Sequence, residues 1–373
     1  MAEHDRSDRT VHPALDGVHA VVPAGIDDPA RVSGGNRYDR KVCDGLRNAG
    51  WTVAEIAAPG SWPRPDAAAL GALARSLDAL PVGALVLVDG LIASAARTVL
   101  VPRSGRLRLV VLVHMAFGGD AVAERDEAAV LAAAQAVVTT SAWTRRHLLD
   151  RYPLSPARVH VARPGTETAP ASPRTTDGER LLCVGALVPH KGQDVLLEAL
   201  ARTAGLPWRC TLVGPLDRDP LFVASLERRA ADAGIADRLR IPGPRTGAAL
   251  QLEYRSADVL VVPSRMETYG MAITEALAAG LPVIATGVGG VPEAVGRTAD
   301  GVPGLLVPPD DSHALAAALA RWLTDADVRC RLRRAALRRR ETLPDWRTTG
   351  HRIRAVLSAV RAELDRPPLR VEE

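Results

Sequence analysis

Aromatic residues make up only 3% of this 373-residue chain, and lysine is scarcer still, with Lys41 and Lys191 the only two. So few rings argue against the stacking platforms that hold single-stranded nucleic acid or glycans, and they leave Leu, Val and Ala to build the interior. Arginine supplies almost all the positive charge. The net charge of +4 is small for this length although the sequence pI of 9.1 looks basic, a bias that reads as genome composition rather than function. No run of ~18 apolar residues occurs, so no membrane-spanning helix is expected. Residues Met1 to Asp16 are polar and charged, unlike a signal peptide, and read as a mobile tail. The four cysteines, Cys43, Cys183, Cys210 and Cys330, show neither metal-ligand spacing nor a disulfide framework. Cys183 and Cys210 fall in apolar strands and read as reduced core residues. A cytoplasmic protein is the simplest expectation.

What is present is ample core material. Hydrophobic residues form 47% of the chain, and a chain of this length exceeds the ~250–300 residues at which single cores stop growing. Two domains are therefore expected. Strands and helices alternate throughout, which favours parallel sheets covered on both faces. Expected strands are Val18–Val22, Ala84–Val88, Leu107–Val113, Ala136–Thr140 and Val159–Ala162, then Leu181–Val184, Cys210–Val213, Leu239–Ile241, Val259–Val262 and Val283–Ala285. The expected division is a first domain over 17–164, a linker over 165–179 rich in Thr, Pro, Ala and Ser, and a second domain over 180–345. A final helix starts near Trp346 and runs to Leu364, within the last segment 346–373. The fold class is thus α/β, two Rossmann-like doubly wound domains facing a central cleft, with ligands at the carboxyl ends of the strands.

The most informative stretch is Glu267-Thr-Tyr-Gly-Met-Ala-Ile-Thr-Glu275. It follows an apolar strand, and its helix, opening near Gly270 and Met271, is nearly all apolar. A carboxylate buried there is costly unless something bonds it, and the amides at a helix start can receive an anion. A sugar nucleotide has a matching layout, with a diphosphate between a sugar and a ribose. A plain buried helix with an early glutamate favoured by the dipole fits the spacing equally well. Lys191-Gly192 sits in a loop after the strand ending at Val184, where an ammonium could meet a diphosphate; an exposed lysine is the ordinary alternative. Gly34 and Gly35 follow the first strand, where backbone can approach a phosphate closely. His114 ends another strand and points toward the expected cleft, although a strand-end histidine taken alone is more often structural. Arg163 and Arg245 occupy cleft-side positions. Asp217-Arg218-Asp219 reads as a surface turn rather than a metal site, and the arginines from Arg329 to Arg340 read as a solvated helix face.

The segment from Ala257 to Thr286 resembles the E-x7-E signature of retaining glycosyltransferases of family 4. The same family's pattern recurs at Val184–Glu198, at Gly289-Gly-Val-Pro-Glu293 and at Gly304-Leu-Leu-Val-Pro-Pro309, and more loosely at Ser33-Gly-Gly35 and His114. The resemblance implies the GT-B arrangement, with the last helix crossing back to the first domain. It implies catalytic roles for His114, Glu267 and Lys191: Glu267 on sugar hydroxyls, Lys191 neutralising the departing nucleotide, and His114 orienting the sugar. It further implies that Glu275 binds ribose, that the Gly270 and Met271 amides take phosphate, and that Gly34 and Gly35 contribute to binding. The family commonly has an arginine after the glycine of the lysine loop. Here that position is Ala186, so Arg163 or Arg245 would have to compensate. A nucleoside-diphosphate sugar, UDP-linked by preference and GDP-linked as the alternative, is expected as co-substrate, with no metal and no other cofactor. A small soluble acceptor is expected, shaped by Ser33–Arg40 and Met115–Asp120, with no nucleic-acid partner and no stable membrane insertion. An epimerase or hydrolase on the same fold, and a non-catalytic nucleotide-sugar-binding protein, are the rival readings. A nicotinamide oxidoreductase is disfavoured because no glycine fingerprint follows the first strand.

Overall fold

The computed structural model describes residues 17–29, 32–115, 121–172, 175 and 177–362. The N-terminal tail, all but the first residue of Met115–Asp120, and the last two residues of the helix expected to reach Leu364 lie outside that set.

The first half alternates β1 (Gly17–Pro23), α1 (Gly34–Asn48), β2 (Thr52–Ala58), α2 (Ala67–Asp78) and β3 (Leu85–Asp89). It continues with α3 (Gly90–Ala93), α4 (Arg97–Leu100), β4 (Arg108–Val113), α5 (Ala121–Ala133), β5 (Ala136–Thr139), α6 (Ala142–Arg151) and β6 (Val159–Val161). The second half runs β7 (Arg180–Val184), α7 (Gln193–Arg202), β8 (Arg209–Val213), α8 (Pro220–Asp232), β9 (Leu239–Gly243) and α9 (Gly247–Ser256). Then come β10 (Val259–Val262), α10 (Met271–Ala278), β11 (Val283–Thr286), α11 (Val291–Val295), β12 (Gly304–Val307), α12 (Ser312–Thr324), α13 (Ala326–Arg340) and α14 (Trp346–Ala362).

Two parallel six-stranded sheets result, ordered β2-β1-β3-β4-β5-β6 and β12-β11-β10-β7-β8-β9. Along each strand successive side chains enter opposite cores. In β7, Leu181 and Cys183 join one cluster with Leu196 and Trp322, while Leu182 joins another with Ile273 and Leu277. In β4, Leu109 and Val111 pack toward α2 through Leu73 and Leu77, whereas Val110 and Leu112 face Tyr38, Val42 and Leu46 of α1. Burial on both faces is why these strands read as continuous apolar runs.

Three local readings need correction. β2 was not expected, because it is a sheet edge whose residues are mostly exposed, so it lacks the apolar run that marks a buried strand. β12 was visible only as a motif. Gly34 and Gly35 lie not in a loop but in the first turn of α1, because the Ser33 side chain caps the helix by accepting from the Asn36 amide at 3.0 Å.

α14 closes the first sheet. Ile353 and Leu357 pack with Tyr38, Val42 and Leu46, and α1 and α14 approach closely where Gly45 faces Gly350; a Cβ on Gly45 would lie 3.7 Å from the Gly350 Cα. The chain thus crosses between the halves twice, side by side. The Thr166 amide donates to the Pro344 carbonyl at 2.8 Å, and Thr349 Oγ1 donates to the Arg163 carbonyl at 2.7 Å. Gly165 is required there, since a Cβ would fall 2.3 Å from the Trp346 nitrogen.

Candidate active site

In the second sheet β7 and β10 are neighbours from which the chain proceeds in opposite directions, and their carboxyl ends form the topological switch point where open α/β sheets bind ligands. The loop after β7 carries Lys191 and the loop after β10 carries Glu267. Their side chains meet, with Lys191 Nζ donating to Glu267 Oε2 at 2.6 Å. Backbone geometry brings them together. Gly192 has φ +70°, and a Cβ there would lie 2.1 Å from the Pro263 carbonyl oxygen, so only glycine lets the lysine loop lie against the end of β10. Arg265 ties the two loops further: its amide donates to the His190 carbonyl at 2.9 Å and its guanidinium grips both Asp194 oxygens at 2.8 and 2.9 Å. The Gly289-Gly290 turn supports Glu267 from behind. The Gly290 amide donates to the Glu267 carbonyl at 2.9 Å, and a Cβ on Gly289 (φ +55°) would sit 1.9 Å from that carbonyl oxygen.

α10 begins at Gly270 (φ +99°), where no side chain caps the first amides. Glu275 lies one turn in. Its Oε2 accepts from the Tyr254 hydroxyl at 2.8 Å, and its Oε1 pairs with Arg37 of α1. Burial pushes the Glu275 pKa up, and the Arg37 charge and Tyr254 hydrogen bond oppose that rise without cancelling it. Arg37 also lies 3.5 Å from Glu167, which pairs with Lys41 at 2.6 Å.

The first sheet faces this site. A Cβ on Gly34 would lie 3.5 Å from Met271 Sδ, and one on Gly35 would lie 3.4 Å from the His114 ring. His114 does not project freely into the cleft. Its Nε2 lies 2.6 Å from Asp39 Oδ1 and 3.3 Å from Asp89 Oδ2, and Thr268 Oγ1 from the other half donates to its carbonyl at 2.5 Å. Burial alone would lower the histidine pKa, but Asp39 and Asp89 outweigh it and push it up to about 10. Burial, eased by His114 but reinforced by the neighbouring Asp89, pushes Asp39 up to about 7. Asp89 is also opposed by burial, yet the hydrogen bond and charge of His114 carry it below its ordinary value. The ligand atoms of Asp39, Asp89 and His114 lie within 4.8 Å of one another, so these residues could hold a small cation. At neutral pH the His114 proton already supplies positive charge at that point.

The structure therefore brings Gly34, Gly35, His114, Lys191, Glu267, Gly270, Met271 and Glu275 to one interdomain junction. Arg245 follows β9, where its guanidinium donates to the Pro244 carbonyl at 3.1 Å. Arg163 pairs with Glu293 instead. Asp219 of the Asp217–Asp219 turn caps α8, accepting from the Phe222 amide at 2.9 Å. The arginines of α13 are not simply a solvated face, since Arg329, Arg333, Arg339 and Arg340 donate to backbone carbonyls. Sequence reasoning missed Asp89 and Tyr254, and within Ser33–Arg40 it did not single out Arg37 or Asp39. Asp89 had a signal, as an acid ending an apolar strand in the way His114 does; Arg37, Asp39 and Tyr254 had none apart from their place in the fold. Glu293 was seen only as part of a motif, yet its carboxylate reaches across to accept from the Ala142 amide at the start of α6 at 2.9 Å.

Comparison with known proteins matches this geometry to a family. Residues 166–339 match the profile of glycosyl transferases group 1. That stretch of the chain is similar to the group 1 glycosyltransferases. A D-inositol 3-phosphate glycosyltransferase of Frankia alni is 37% identical over 231 residues, covering 57% of this chain and 56% of that protein. One from Salinispora tropica is 36% identical over 236 residues, covering 57% and 48%. The chain spans about half the length of the curated relatives it matches. Solved GT-B structures share the whole fold. Sucrose-phosphate synthase from Thermosynechococcus elongatus aligns with a TM-score of 0.76 at 22% identity over 93% of this chain and 100% of that one. Anabaena HepE in complex with UDP-glucose aligns with a TM-score of 0.75 at 18% identity over 92% and 99%. Among the described residues no helix is long and apolar enough to cross a membrane.

Proposed function

We propose that the chain transfers a sugar from a nucleoside-diphosphate donor to a small soluble acceptor in the cytoplasm, with retention of configuration and without a metal. The observation that carries this reading is the Lys191–Glu267 pair at the switch point, with the uncapped start of α10 and Glu275 beside it. In this reading the diphosphate would lie on the Gly270 and Met271 amides, where the helix dipole favours an anion. Lys191 would move from Glu267 to the phosphate as negative charge builds on the leaving group. Glu267, released from its ion pair, would hold sugar hydroxyls, and ribose hydroxyls would replace Arg37 as partners of Glu275. His114, fixed by Asp39 and Asp89, would orient the sugar. A UDP-sugar is the favoured donor and a GDP-sugar the alternative. UDP-glucose in the Anabaena relative supports the first choice, and the inositol phosphate named for the curated relatives supports a small acceptor.

Ala186 favours one rival, a binding protein that has lost turnover, because it removes a second cation expected in the lysine loop. Donor turnover with and without added acceptor separates transferase, hydrolase and binder. Glu267→Ala and Lys191→Ala are each expected to lower transfer by on the order of a hundredfold, the loss typical of a transition-state donor, while donor-induced thermal stabilisation persists in Glu267→Ala. Near-normal transfer in both variants would reject the assignment.

A further inference from the structure

Behind the candidate active site, where the chain crosses between its halves, lies a cavity of ≈ 330 Å³ lined by Arg163, Arg339, Arg352, Thr342, Thr348 and Glu293 among others. Its charge is out of balance. Glu293 already serves Arg163 and the first amides of α6. Asp345, next to the lining, accepts from the Thr348 amide and hydroxyl at 2.7 and 2.6 Å. Arg339 spends its donors on neutral oxygens: Nε on the Val295 carbonyl at 3.0 Å, and the terminal nitrogens on the Ala294 carbonyl, the Thr342 carbonyl and Thr342 Oγ1 at 3.3, 3.3 and 2.9 Å. No carboxylate pairs with it among the described residues, and none pairs with the exposed Arg352.

We propose that this cavity is a binding site for a phosphate-class anion, inorganic phosphate or the phosphoryl group of a small metabolite, seated between Arg163, Arg339 and Arg352. The chemistry fits: planar guanidinium groups are the preferred partners of phosphate oxygens. Burial, opposed by Tyr269 and reinforced by the neighbouring Arg163 charge, holds the Arg339 pKa below its ordinary value, so an anion there would relieve an unfavourable charge. The site also draws its arginines from both halves. Arg163 follows the last strand of the first sheet, Arg339 lies in the last turn of α13, and Arg352 lies on the returning α14. An anion drawing Arg163 from Glu293 would loosen the carboxylate that spans from α11 to α6.

The test uses the full chain, with inorganic phosphate and glucose 6-phosphate as probes titrated at fixed ionic strength against chloride, and thermal stability and calorimetric heat as readouts. Saturable stabilisation is expected in the wild type. Arg352→Gln, at an exposed position, should weaken it roughly tenfold, the effect of losing one charge-assisted contact, while Arg354→Gln, which does not line the cavity, should leave it unchanged. Lys191→Ala separates this cavity from the donor site. If phosphate stabilisation disappears in Lys191→Ala and survives in Arg352→Gln, the anion binds among the donor-site residues and the proposal fails. It fails equally if the wild type shows no saturable response, or if Arg352→Gln and Arg354→Gln respond alike, the mark of a general ion effect. Because these readouts need no turnover, loss of the proposed transferase activity would not imitate any of these results.

Discussion

Replacing Arg37 by methionine tests how the two halves are joined at Glu275. The arginine side chain is 29% exposed and the glutamate 11%, so the pair is partly shielded. Two unit charges about 4 Å apart attract by about 4 kcal/mol at an effective dielectric of ~20. Desolvation of the carboxylate takes back part of that, and a charge-assisted hydrogen bond contributes about 1.5–3 kcal/mol net. Arg37→Met should therefore cost about 2 kcal/mol at pH 8. It leaves Glu275 buried with Tyr254 as its remaining partner, so the carboxyl pKa rises further above its unfolded value. A raised folded pKa favours the native state at low pH and disfavours it as pH climbs through the gap. The cost of the substitution should accordingly shrink toward pH 5, by up to about 1.4 kcal/mol for each unit of added shift. Glu275→Gln keeps the Tyr254 contact and removes the charge, so Arg37→Met should cost far less in that background. Urea unfolding of the four members of the cycle at both pH values provides the measurement. A coupling below about 0.5 kcal/mol, the size typical of an exposed pair, together with a pH-independent cost, would refute the reasoning.

Three other outcomes follow from the same structure. His114 and Asp39 both have folded pKa values above their unfolded ones, at about 10 and about 7. The native state therefore holds extra protons, and stability should fall as pH rises from about 4 through 10, by at most ~1.4 kcal/mol per pH unit per proton; Asp39→Asn should flatten the slope above pH 7 in denaturant titrations. Gly289→Ala forces a Cβ into the Glu267 carbonyl at a positive φ, so transfer should fall at least tenfold while far-ultraviolet circular dichroism stays native-like; unchanged kinetics would show that the turn does not set the Glu267 backbone. Glu293→Ala removes the acceptor of the first two α6 amides and the partner of Arg163 and should cost about 1–2 kcal/mol, the size of losing charge-assisted hydrogen bonds, read as a lowered melting temperature; an unchanged one would mean the bridge between the halves carries no net stability.

Much of the fold was legible in the sequence because buried parallel strands are apolar on both faces. The runs around Val18–Val22, Leu107–Val113 and Val259–Val262 need no partner to be recognised. β2 escaped because an edge strand keeps one side in water and alternates irregularly. Within the candidate site, Glu267, Lys191 and Glu275 stood out through their motif. Their contacts did not, since Lys191 and Glu267 are 76 residues apart and Arg37 and Glu275 are 238 apart.

The sequence by itself determined the alternation of strand and helix, the helix start at Gly270 and the glycines that only particular backbone angles tolerate. These are local properties, fixed by side-chain periodicity and by the steric limits on φ and ψ. The tertiary structure alone decided that His114 lies between two buried aspartates, that Arg37 reaches across to Glu275, and that three arginines surround one cavity at the chain crossings. Those are meetings of charges distant along the chain, and their energies depend on burial and orientation, which exist only once the two sheets are packed.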